Sequence, residues 1–533
     1  MDPVTLLIFS CSLVLTSGLT LAWLSVQNKV KHWSQHRVPY IPMISCFASM
    51  LSFTFKRKAV FEVIHDQYTT LEGQPFGGTF QIFEPSILLR DPVMVKKWLI
   101  AEFSSFTDRI FFPVTDGKSD KLSGNLFQLT GEKWRLLRRK LSPLFSSGKL
   151  RTMYEALEGC AGEFKTHLET CHASTGETEL DIKELLKNYT MDVVGACMMG
   201  IRCDALRDPD NCRMKWIVQQ FFRFNWRMSL YQFLSMIHPR IPKLLGLSPR
   251  GSEVQNFLAD FIKDAMRLKQ GEGHTRKDFL QLLMKSSDWE VDVAKNLGAA
   301  DSACTEDEGR CYFLGRKSID RIILAAGLEP TSDTATFCAY ELAHHPEVQE
   351  ELFREIQMVK KMSGGKIEYD SLKKLRYLDQ VVKETLRKYP SVAVLGRKCT
   401  KTFTIPDTSV TLEKGTKVFI SAMGFQHDPK FFPEPEKFMP ERFSEENVHK
   451  IIPGSYLPFG DGPRSCVGMR LALMMVKGMI ITLVSNYTLH PYANAKNHLK
   501  GDPYHFTLRP KGQVWLQVRK RGQTGKYTAT NSG

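Results

Sequence analysis

The spacing of hydrophobic residues along the chain predicts a protein built mainly from helices. Apolar positions that recur every three or four residues predict long helices, the clearest of which are 150–168, 316–343 and 349–361. Short runs at 80–98 predict strands followed by a helix, and β-branched residues punctuated by Gly and Pro at 398–421 predict a small sheet. A last helix, 466–483, is apolar on nearly every side, as is typical of a helix buried in a large core.

The N-terminal stretch is apolar in a different way. No charged residue occurs between Asp2 and Lys29, and residues 4–26 are predominantly hydrophobic. As a helix this stretch would rise about 35 Å, which is enough to cross a bilayer. A cleaved signal peptide would have a basic leader, whereas here the basic residues follow the span. We therefore expect a transmembrane signal-anchor at 1–28, with the rest of the protein on the cytosolic side.

The remaining chain predicts one large unit. Pro39 and Pro42 interrupt the chain, because proline cannot continue a helix, and they predict a hinge over 29–45. No Gly/Ser linker, low-complexity tract or internal repeat divides the chain after this hinge. We expect a single catalytic domain at 46–520 and a polar tail at 521–533.

Composition and charge exclude several classes of protein. The formal net charge of +15 favours acidic partners or anionic membrane surfaces. The basic residues are dispersed and form no motif interleaved with aromatic residues, so nucleic acid is not an expected partner. The 12 cysteines include no CxxC pair, which argues against a zinc ribbon or a thioredoxin-like site. No GxGxxG or GxxxxGK[ST] fingerprint is present, so we expect no flavin or NADPH domain within this chain. If its reaction needs electrons, they must come from another protein.

One short segment carries the strongest chemical signal. Residues 459–468 have the sequence FGDGPRSCVG, directly before the last predicted helix. Cys466 would stand at a helix N-terminus, where free N–H groups and the helix dipole favour a thiolate. A thiolate behind haem iron donates electron density that promotes O–O cleavage. Arg464 could bind a carboxylate with its fork of donors, and Gly468 allows close packing. The alternative is a structural cysteine in a glycine-rich turn.

Three further motifs accompany this segment. Glu384 and Arg387 form an ExxR pair that would share one face of a helix, and Arg442 in the sequence PERF could join them. We interpret these three residues as structural, since a buried charge network is stabilising only when every donor is matched. Trp134 and Arg138 form a WxxxR motif at helical i,i+4 spacing, so both side chains point the same way.

Together these motifs resemble the cytochrome P-450 superfamily over essentially the whole chain, most closely its insect microsomal members linked to xenobiotic metabolism. Shorter matches carry the finer resemblance, at 106–109, 122–127, 133–135, 147–150, 384–390 and 397–401. The resemblance implies the P-450 fold and haem b (iron protoporphyrin IX), with Cys466 as the axial and only protein metal ligand. It implies that haem is bound by Trp134, Arg138, Arg397, Phe459, Arg464, Cys466 and Gly468.

The resemblance also implies an activity, a location and partners. The implied enzyme is a monooxygenase of the endoplasmic reticulum membrane that takes electrons from NADPH–cytochrome P-450 reductase, with cytochrome b5 as a further donor. Basic residues around the WxxxR motif could contact the acidic flavin domain of the reductase, or could simply form a solvated helix face. They are Lys133, Arg135, Arg139 and Lys140.

The sequence departs from the family pattern in the long helix expected over the haem. Residues 326–332 have the sequence AGLEPTS, so Glu329 supplies the usual acid but Pro330 replaces the usual threonine. In the family this acid–alcohol pair helps protons reach the bound oxygen. Proline has no hydroxyl and no N–H, and it disrupts the preceding helical turn. We expect Glu329 and Thr331 to be the catalytic residues, with Ser332 or water as other ways to relay protons.

Three functions therefore remain open. The first is a reductase-dependent monooxygenase that acts on lipophilic small molecules. The second is a haem-thiolate isomerase or dehydratase that acts on peroxides without a reductase, and the third is a non-enzymatic membrane haem sensor. Two apolar segments, 111–112 and 392–394, match family positions that face the substrate; they suit lipophilic compounds but identify no charged anchor. The aromatic-rich segment 216–233 could line a hydrophobic pocket, contact the membrane or pack in the core.

Overall fold

The structure is a computed structural model of the 533-residue chain. It describes residues 26–55, 57–110, 125–173, 178–216, 226–237, 241–247, 316–492 and 499–522, together with isolated positions before 26 and between 253 and 267. The predicted signal-anchor and the end of the polar tail fall almost wholly outside the described residues. The same holds for 111–112 and for half of the aromatic-rich segment 216–233, namely 217–225.

Helices make up most of the described chain, as the spacing of hydrophobic residues predicted. Residues 26–35 are helical. The helices that follow are, in chain order, α1 (Met43–Thr54), α2 (Val60–Thr70), α3 (Pro92–Ile100), α4 (Gly131–Leu141), α5 (Ser147–Ala173), α6 (Ile182–Val194), α7 (Trp226–Ile237), α8 (Ile241–Leu244), α9 (Arg316–His344), α10 (Pro346–Met362), α11 (Arg376–Lys388), α12 (Ala422–His427) and α13 (Met469–Asn486). Short 3₁₀ turns lie at Phe103–Ser105, Ser142–Phe145, Tyr369–Lys373, Pro440–Phe443, Val448–Lys450 and Gly462–Arg464, and a π turn lies at Gly195–Met199.

Local chemistry explains where several helices begin. Asp91 caps α3 by accepting a hydrogen bond from the backbone N–H of Val93, and Pro92 occupies the first turn, where its missing N–H costs nothing. Asp181 caps α6 in the same way through Lys183. These two helices thus begin where a side-chain acceptor satisfies a backbone donor that has no partner within the helix.

Strands form the minor part of the fold. They are β1 (Phe76–Gln81), β2 (Glu84–Leu89), β3 (Thr178–Asp181), β4 (Val394–Lys398), β5 (Phe403–Thr404), β6 (Thr411–Leu412), β7 (Lys417–Ser421), β8 (Tyr487–Pro491) and β9 (Trp515–Lys520). One sheet has the order β1-β2-β7-β4, in which only β2 and β7 are parallel. A second sheet, β3-β9-β8, is antiparallel, and β5 and β6 form a small hairpin. The fold is mainly α with a minor β portion, as predicted from the sequence.

The segment predicted as a hinge, 29–45, packs against the first sheet. Trp33 is fully buried, and its indole N–H donates to the carbonyl of Thr79 at 3.0 Å. A side chain at Gly78 would collide with the Trp33 ring at 2.4 Å, so the close approach requires glycine. Beyond Trp33, Val38 and Ile41 also belong to this core. The segment therefore joins the globular unit.

Two long helices form the centre of the molecule and position the site. α9 packs against α6 and α13, and α13 is apolar on most of its surface. Among the residues that the structure describes, α13 is the one helix long and apolar enough to cross a membrane, but more than half of it is buried inside the protein. It is therefore the core helix that the sequence predicted. Pro330 lies inside α9, at the point where that helix borders a central cavity.

Candidate active site

A cavity of about 360 Å³ lies between α9 and the loop that precedes α13. Its wall is mostly apolar and includes Leu126, Phe127, Met198, Met228 and Val394. Helix α9 contributes Ala326, Gly327, Pro330, Thr331 and Thr334. A concave, largely apolar space with a few polar groups is the usual form of a small-molecule site.

Cys466 faces this cavity from the loop before α13. Its backbone N–H donates to the carbonyl of Phe459 at 2.9 Å, which closes the loop on itself. The thiol lies deep within the protein, yet its side chain is exposed to the cavity. Burial raises the pKa of the Cys466 thiol, while the N–H of Gly468 and the guanidinium groups of Arg109 and Arg138 act in the opposite direction. A thiol with cations and a backbone donor around it is well placed to bind a metal as the thiolate.

The glycines of this loop are required by its backbone. Gly460 and Gly462 have φ values of +68° and +69°, in the left-handed region that favours glycine. A Cβ atom at Gly462 would lie 2.0 Å from the carbonyl oxygen of Leu99, so no side chain fits there. Asp461 accepts a hydrogen bond from the N–H of Gly462 and fixes the turn. The loop geometry that presents Cys466 therefore depends on these residues.

Four arginines line the same cavity, and three of them were predicted to bind haem. They are Arg109, Arg138, Arg397 and Arg464. Arg397 is almost fully buried, and its Nε has no hydrogen-bond partner among the described residues. Burial, and then repulsion from Arg109, lower the pKa of Arg397 to about 9. A buried cation with an unused donor is an expected feature of a site for an anion.

Arg464 differs from Arg397 in what its donors contact. Its Nε donates to the carbonyl of Thr107 at 2.9 Å, and its Nη2 donates to that of Leu129 at 2.6 Å. Its Nη1 is 3.4 Å from the carbonyl of Leu126. All three nitrogen atoms thus face backbone carbonyls. The structure places Arg464 in the cavity wall, while its role as a ligand of haem propionates stays a prediction.

The other predicted haem contacts also reach the wall. Trp134 is buried on α4, and one turn later Arg138 donates from Nη1 to the carbonyl of Ser465 at 2.7 Å. Phe459 and Gly468 line the cavity beside the cysteine. The structure thus brings together every residue that was predicted from the sequence to bind haem.

Arg109 is a wall residue that was not predicted from the sequence to belong to the site. Its Nη2 donates to the carbonyl of Arg464 at 2.8 Å, and its guanidinium lies 4.3 Å from the centroid of the Phe127 ring. Burial lowers the pKa of Arg109 to about 10, despite the opposing field of Cys466. In the sequence, Arg109 belonged to the match at 106–109. That match indicated resemblance to the family but gave no indication that Arg109 lies in the site.

The donor set fits a flat group that carries an iron ion and carboxylates. Cys466 would supply a soft sulfur ligand, and the four arginines would supply positive charge for carboxylates. One carboxylate, that of Asp108, lies 3.9 Å from Arg464. The apolar remainder of the wall would contact the faces of the macrocycle. These residues therefore suit haem b, as the resemblance implied.

The two predicted catalytic residues differ in position. Thr331 lines the cavity, and its hydroxyl donates to the carbonyl of Gly327 at 2.6 Å. Glu329 does not contribute to the described cavity wall and instead pairs with Arg509 at 2.9 Å. Ser332, the other candidate alcohol, donates to the carbonyl of Glu329 and is also absent from the described wall. Of the two alcohols, only Thr331 borders the cavity.

The ExxR motif and Arg442 form the predicted charge network. Arg387 donates to both oxygens of Glu384, at 2.8 and 3.0 Å, and both side chains are fully buried. Arg442 approaches the same carboxylate at 3.3 Å, and the N–H of Met439 donates to it at 3.0 Å. Arg387 also donates to the carbonyl of Gln426. The network joins α11 to the Pro440–Phe443 turn.

The basic residues considered for reductase contact lie on α4. Lys133, Arg135 and Arg139 are exposed, while Lys140 is half-buried. Arg135 forms an ion pair with Glu132 at 2.6 Å. The same helix carries Arg138, whose guanidinium donates to the carbonyl of Ser465 in the cysteine loop, so the basic residues lie on a helix that contacts this loop.

Comparisons with known proteins agree with this site. The family model described as "Cytochrome P450" matches residues 38–516. "Probable cytochrome P450 6d4" of Drosophila melanogaster is 32% identical over 530 residues, covering 96% of this chain and 99% of the relative. "Cytochrome P450 6k1" of Blattella germanica is 31% identical over 90% of this chain and 91% of its own length. "Cytochrome P450 6d1" of Musca domestica is 33% identical over 78% of this chain and 81% of its own.

Proposed function

The chain belongs to the cytochrome P450 family, whose members are haem-thiolate monooxygenases, and we propose that it inserts one atom of O2 into lipophilic small molecules with electrons from NADPH. The electrons would arrive through the separate NADPH–cytochrome P450 reductase, with cytochrome b5 as a second donor. The observation that carries the proposal is the Cys466 thiol, which faces an apolar cavity ringed by four arginines.

The protein residues have distinct tasks in this proposal. Haem b, when bound, supplies the oxygen chemistry. Cys466 would hold the iron as a thiolate, and the Phe459 carbonyl that accepts its N–H would fix its position. Arg397, with its unused Nε, and Arg138 would hold the carboxylates of the group. The remaining wall would exclude water and orient an apolar substrate.

Proton supply is assigned to Thr331. Its hydroxyl borders the cavity and is oriented by the Gly327 carbonyl one turn earlier. A hydroxyl fixed in this way can hold a proton at Oγ1 and pass it to an acceptor within hydrogen-bond reach. Pro330 cannot take this role because it has neither a hydroxyl nor an N–H. Glu329 lies outside the described cavity wall, where Arg509 donates a hydrogen bond to it, and would supply protons from that position.

Substrate class follows from the wall and from the relatives. The cavity is mostly apolar, and none of its described wall residues is acidic, which suits neutral lipophilic compounds. The resemblance to insect microsomal members implies a role in xenobiotic metabolism, which we propose for this enzyme. The similarity to "Cytochrome P450 6d1" and "Cytochrome P450 6k1" agrees with that resemblance. We place the enzyme at the endoplasmic reticulum membrane, anchored by the apolar stretch 4–26, with α4 facing the reductase.

The experiment incubates purified protein, reductase, NADPH and labelled dioxygen with a panel of lipophilic compounds. The proposal predicts products that contain one labelled oxygen atom and that require both reductase and NADPH. Product formation from a hydroperoxide without any reductant, together with no labelled product, would instead support the isomerase. That second function is considered because Pro330 replaces the alcohol and Glu329 lies outside the described wall.

Arg139→Glu combined with Lys140→Glu tests the proposed reductase contact. Reversing two charges on α4 should slow the reductase-supported rate and weaken its dependence on salt, because complementary charges mainly raise the association rate. Asp370→Asn, at an exposed position of a different surface turn, is the control and should leave both unchanged. An unchanged salt dependence in the double variant would contradict this contact.

A further inference from the structure

Two acids lie side by side on the face of α9 behind the cavity wall. Glu329 and Asp333 are four residues apart, so they project from the same face of the helix. Each is about 1% exposed, and α9 packs against α6, whose Lys187 acts on both acids. Two buried carboxylates in adjacent turns are costly to ionise together, because burial and mutual repulsion both favour the protonated form.

One guanidinium serves both acids. Arg509 donates from Nη1 to Oε1 of Glu329 at 2.9 Å, and its Nε lies 3.9 Å from Oδ2 of Asp333. The second oxygen of Glu329, that same oxygen of Asp333, and the Nε of Arg509 have no hydrogen-bond partner among the described residues. The cluster therefore has polar atoms that could still bind a proton or form hydrogen bonds with a water molecule at its centre.

Further charges surround the cluster from the neighbouring elements. Helix α6 contributes Lys187 and Lys183, and Lys183 donates to the backbone carbonyls of Pro510 and Gly512. The segment 502–510 contributes Asp502 and His505, which pair with each other at 3.1 Å. The described charged groups that act on one or both acids are Arg509, Lys187, Lys183 and Asp502, and Arg509 is the largest opposing influence on both.

The cluster is separated from the cavity by one layer of residues. Glu329 directly precedes Pro330, which lines the cavity. Arg509 follows two positions after Thr507, which also lines it. Burial raises the pKa of Glu329 to about 7. The guanidinium of Arg509 lowers this pKa in part, and repulsion from Asp333 raises it further. The pKa of Asp333 is raised as well, mainly by burial.

We propose that Glu329 and Asp333 share one proton against Arg509, and that Asp333 and Arg509 are positioning residues that set the proton affinity of Glu329. In the proposed function, on which this inference rests, the stored proton leaves Glu329 towards the cavity. Glu329 then remains as a carboxylate paired with Arg509, and solvent water returns a proton to the pair. Neither Asp333 nor Arg509 belongs to the described cavity wall.

Infrared difference spectroscopy of the resting haem-bound protein tests the shared proton, since it needs neither reductase nor substrate. A carbonyl band of a protonated carboxyl should titrate near pH 7 in the natural protein and disappear in Glu329→Gln. Asp333→Asn removes a like charge, so the midpoint should fall by about one pH unit. Arg509→Gln removes the opposing cation, so the midpoint should rise by about as much. The control Asp370→Asn changes the same group at an exposed site and should leave the midpoint in place.

The outcomes separate this inference from the proposed function. A midpoint that does not fall in Asp333→Asn overturns the shared proton, even if Arg509→Gln fails to fold. Shifted midpoints without NADPH-dependent product overturn the monooxygenase but leave the proton pair standing. With reductase present, Asp333→Asn should also displace the pH profile of product yield in the same direction as the infrared midpoint. If the product yield of Asp333→Asn falls at every pH but the profile does not shift along the pH axis, Asp333 has a purely structural role. That result would overturn its positioning role.

Discussion

The guanidinium of Arg464 stacks on the indole of Trp134, with its central carbon 4.0 Å from the ring centroid. Its nitrogen atoms meanwhile face backbone carbonyls of the segment 107–129. Arg464 is 1% exposed, so this contact is shielded from solvent. The residue joins the cysteine loop to α4 and to the chain before it, and it acts as a structural centre of the site as well as a source of positive charge.

Arg464→Lys should destabilise the protein by about 3 kcal/mol, because a lysine cannot reproduce the stacked fork and leaves buried carbonyls without donors. Chemical denaturation of the haem-bound protein measures the change. Arg470→Lys, an exposed position on α13, is the matched control and should change stability by less than about 0.5 kcal/mol. Equal stability of the two variants would mean that the carbonyl contacts of Arg464 contribute little.

Cys466→Ser should abolish the strongly red-shifted Soret band of the reduced carbon monoxide complex, because that band requires thiolate ligation. Cys160→Ser is the matched control, since Cys160 lies on α5 and does not belong to the described cavity wall. It should retain the band. Retention of the band in Cys466→Ser would contradict the assignment of the ligand.

The elements of the fold could be predicted from local patterns, whereas their arrangement could not. Helical spacing at 316–343 and 349–361 corresponds closely to α9 and α10, because periodicity reflects burial of one face. The order β1-β2-β7-β4 depends on β7 pairing with a strand more than 300 residues earlier. No local feature of either strand specifies that pairing, since register is set by tertiary packing.

The site shows the same division. The spacing of the FGDGPRSCVG segment identified Cys466, because the chemistry of the loop is local. The donors of Arg464 could not be predicted, because their partners lie more than 330 residues earlier in the chain. The ion pair of Glu329 with Arg509 spans 180 residues and was likewise invisible in the sequence. For Arg464 and Glu329 the sequence therefore indicated residues that carry chemistry, and only the structure gave their partners.

Glu384→Gln should destabilise the protein by about 3–5 kcal/mol, since it leaves the buried Arg387 without a counter-charge. The free energy of unfolding and the fraction of protein that retains haem would both fall. Glu132→Gln, which breaks an exposed ion pair on α4, is the control and should change stability by at most about 1 kcal/mol. A small effect at Glu384 would show that the network is not needed for the core geometry.

Thr331→Val should lower the yield of product per NADPH and raise the yield of hydrogen peroxide, because the cavity loses the hydroxyl of the residue that directly follows Pro330. Loss of a positioned proton donor typically lowers a rate by about 100-fold or more, while substrate binding to the apolar wall should change little. The measurement follows NADPH, product and peroxide in one reaction with the reductase.

Thr336→Val is the matched control for Thr331→Val. Thr336 lies on the same helix, and its hydroxyl also donates to a carbonyl four residues earlier, at 2.7 Å, but it does not belong to the described wall. Any general effect of removing a threonine hydroxyl from α9 should therefore appear equally in both variants. Peroxide that rises only in Thr331→Val would assign proton supply to that hydroxyl. Equal and small effects would instead mean that water or Glu329 delivers the proton past Pro330 without an alcohol, and the role of Thr331 would be lost.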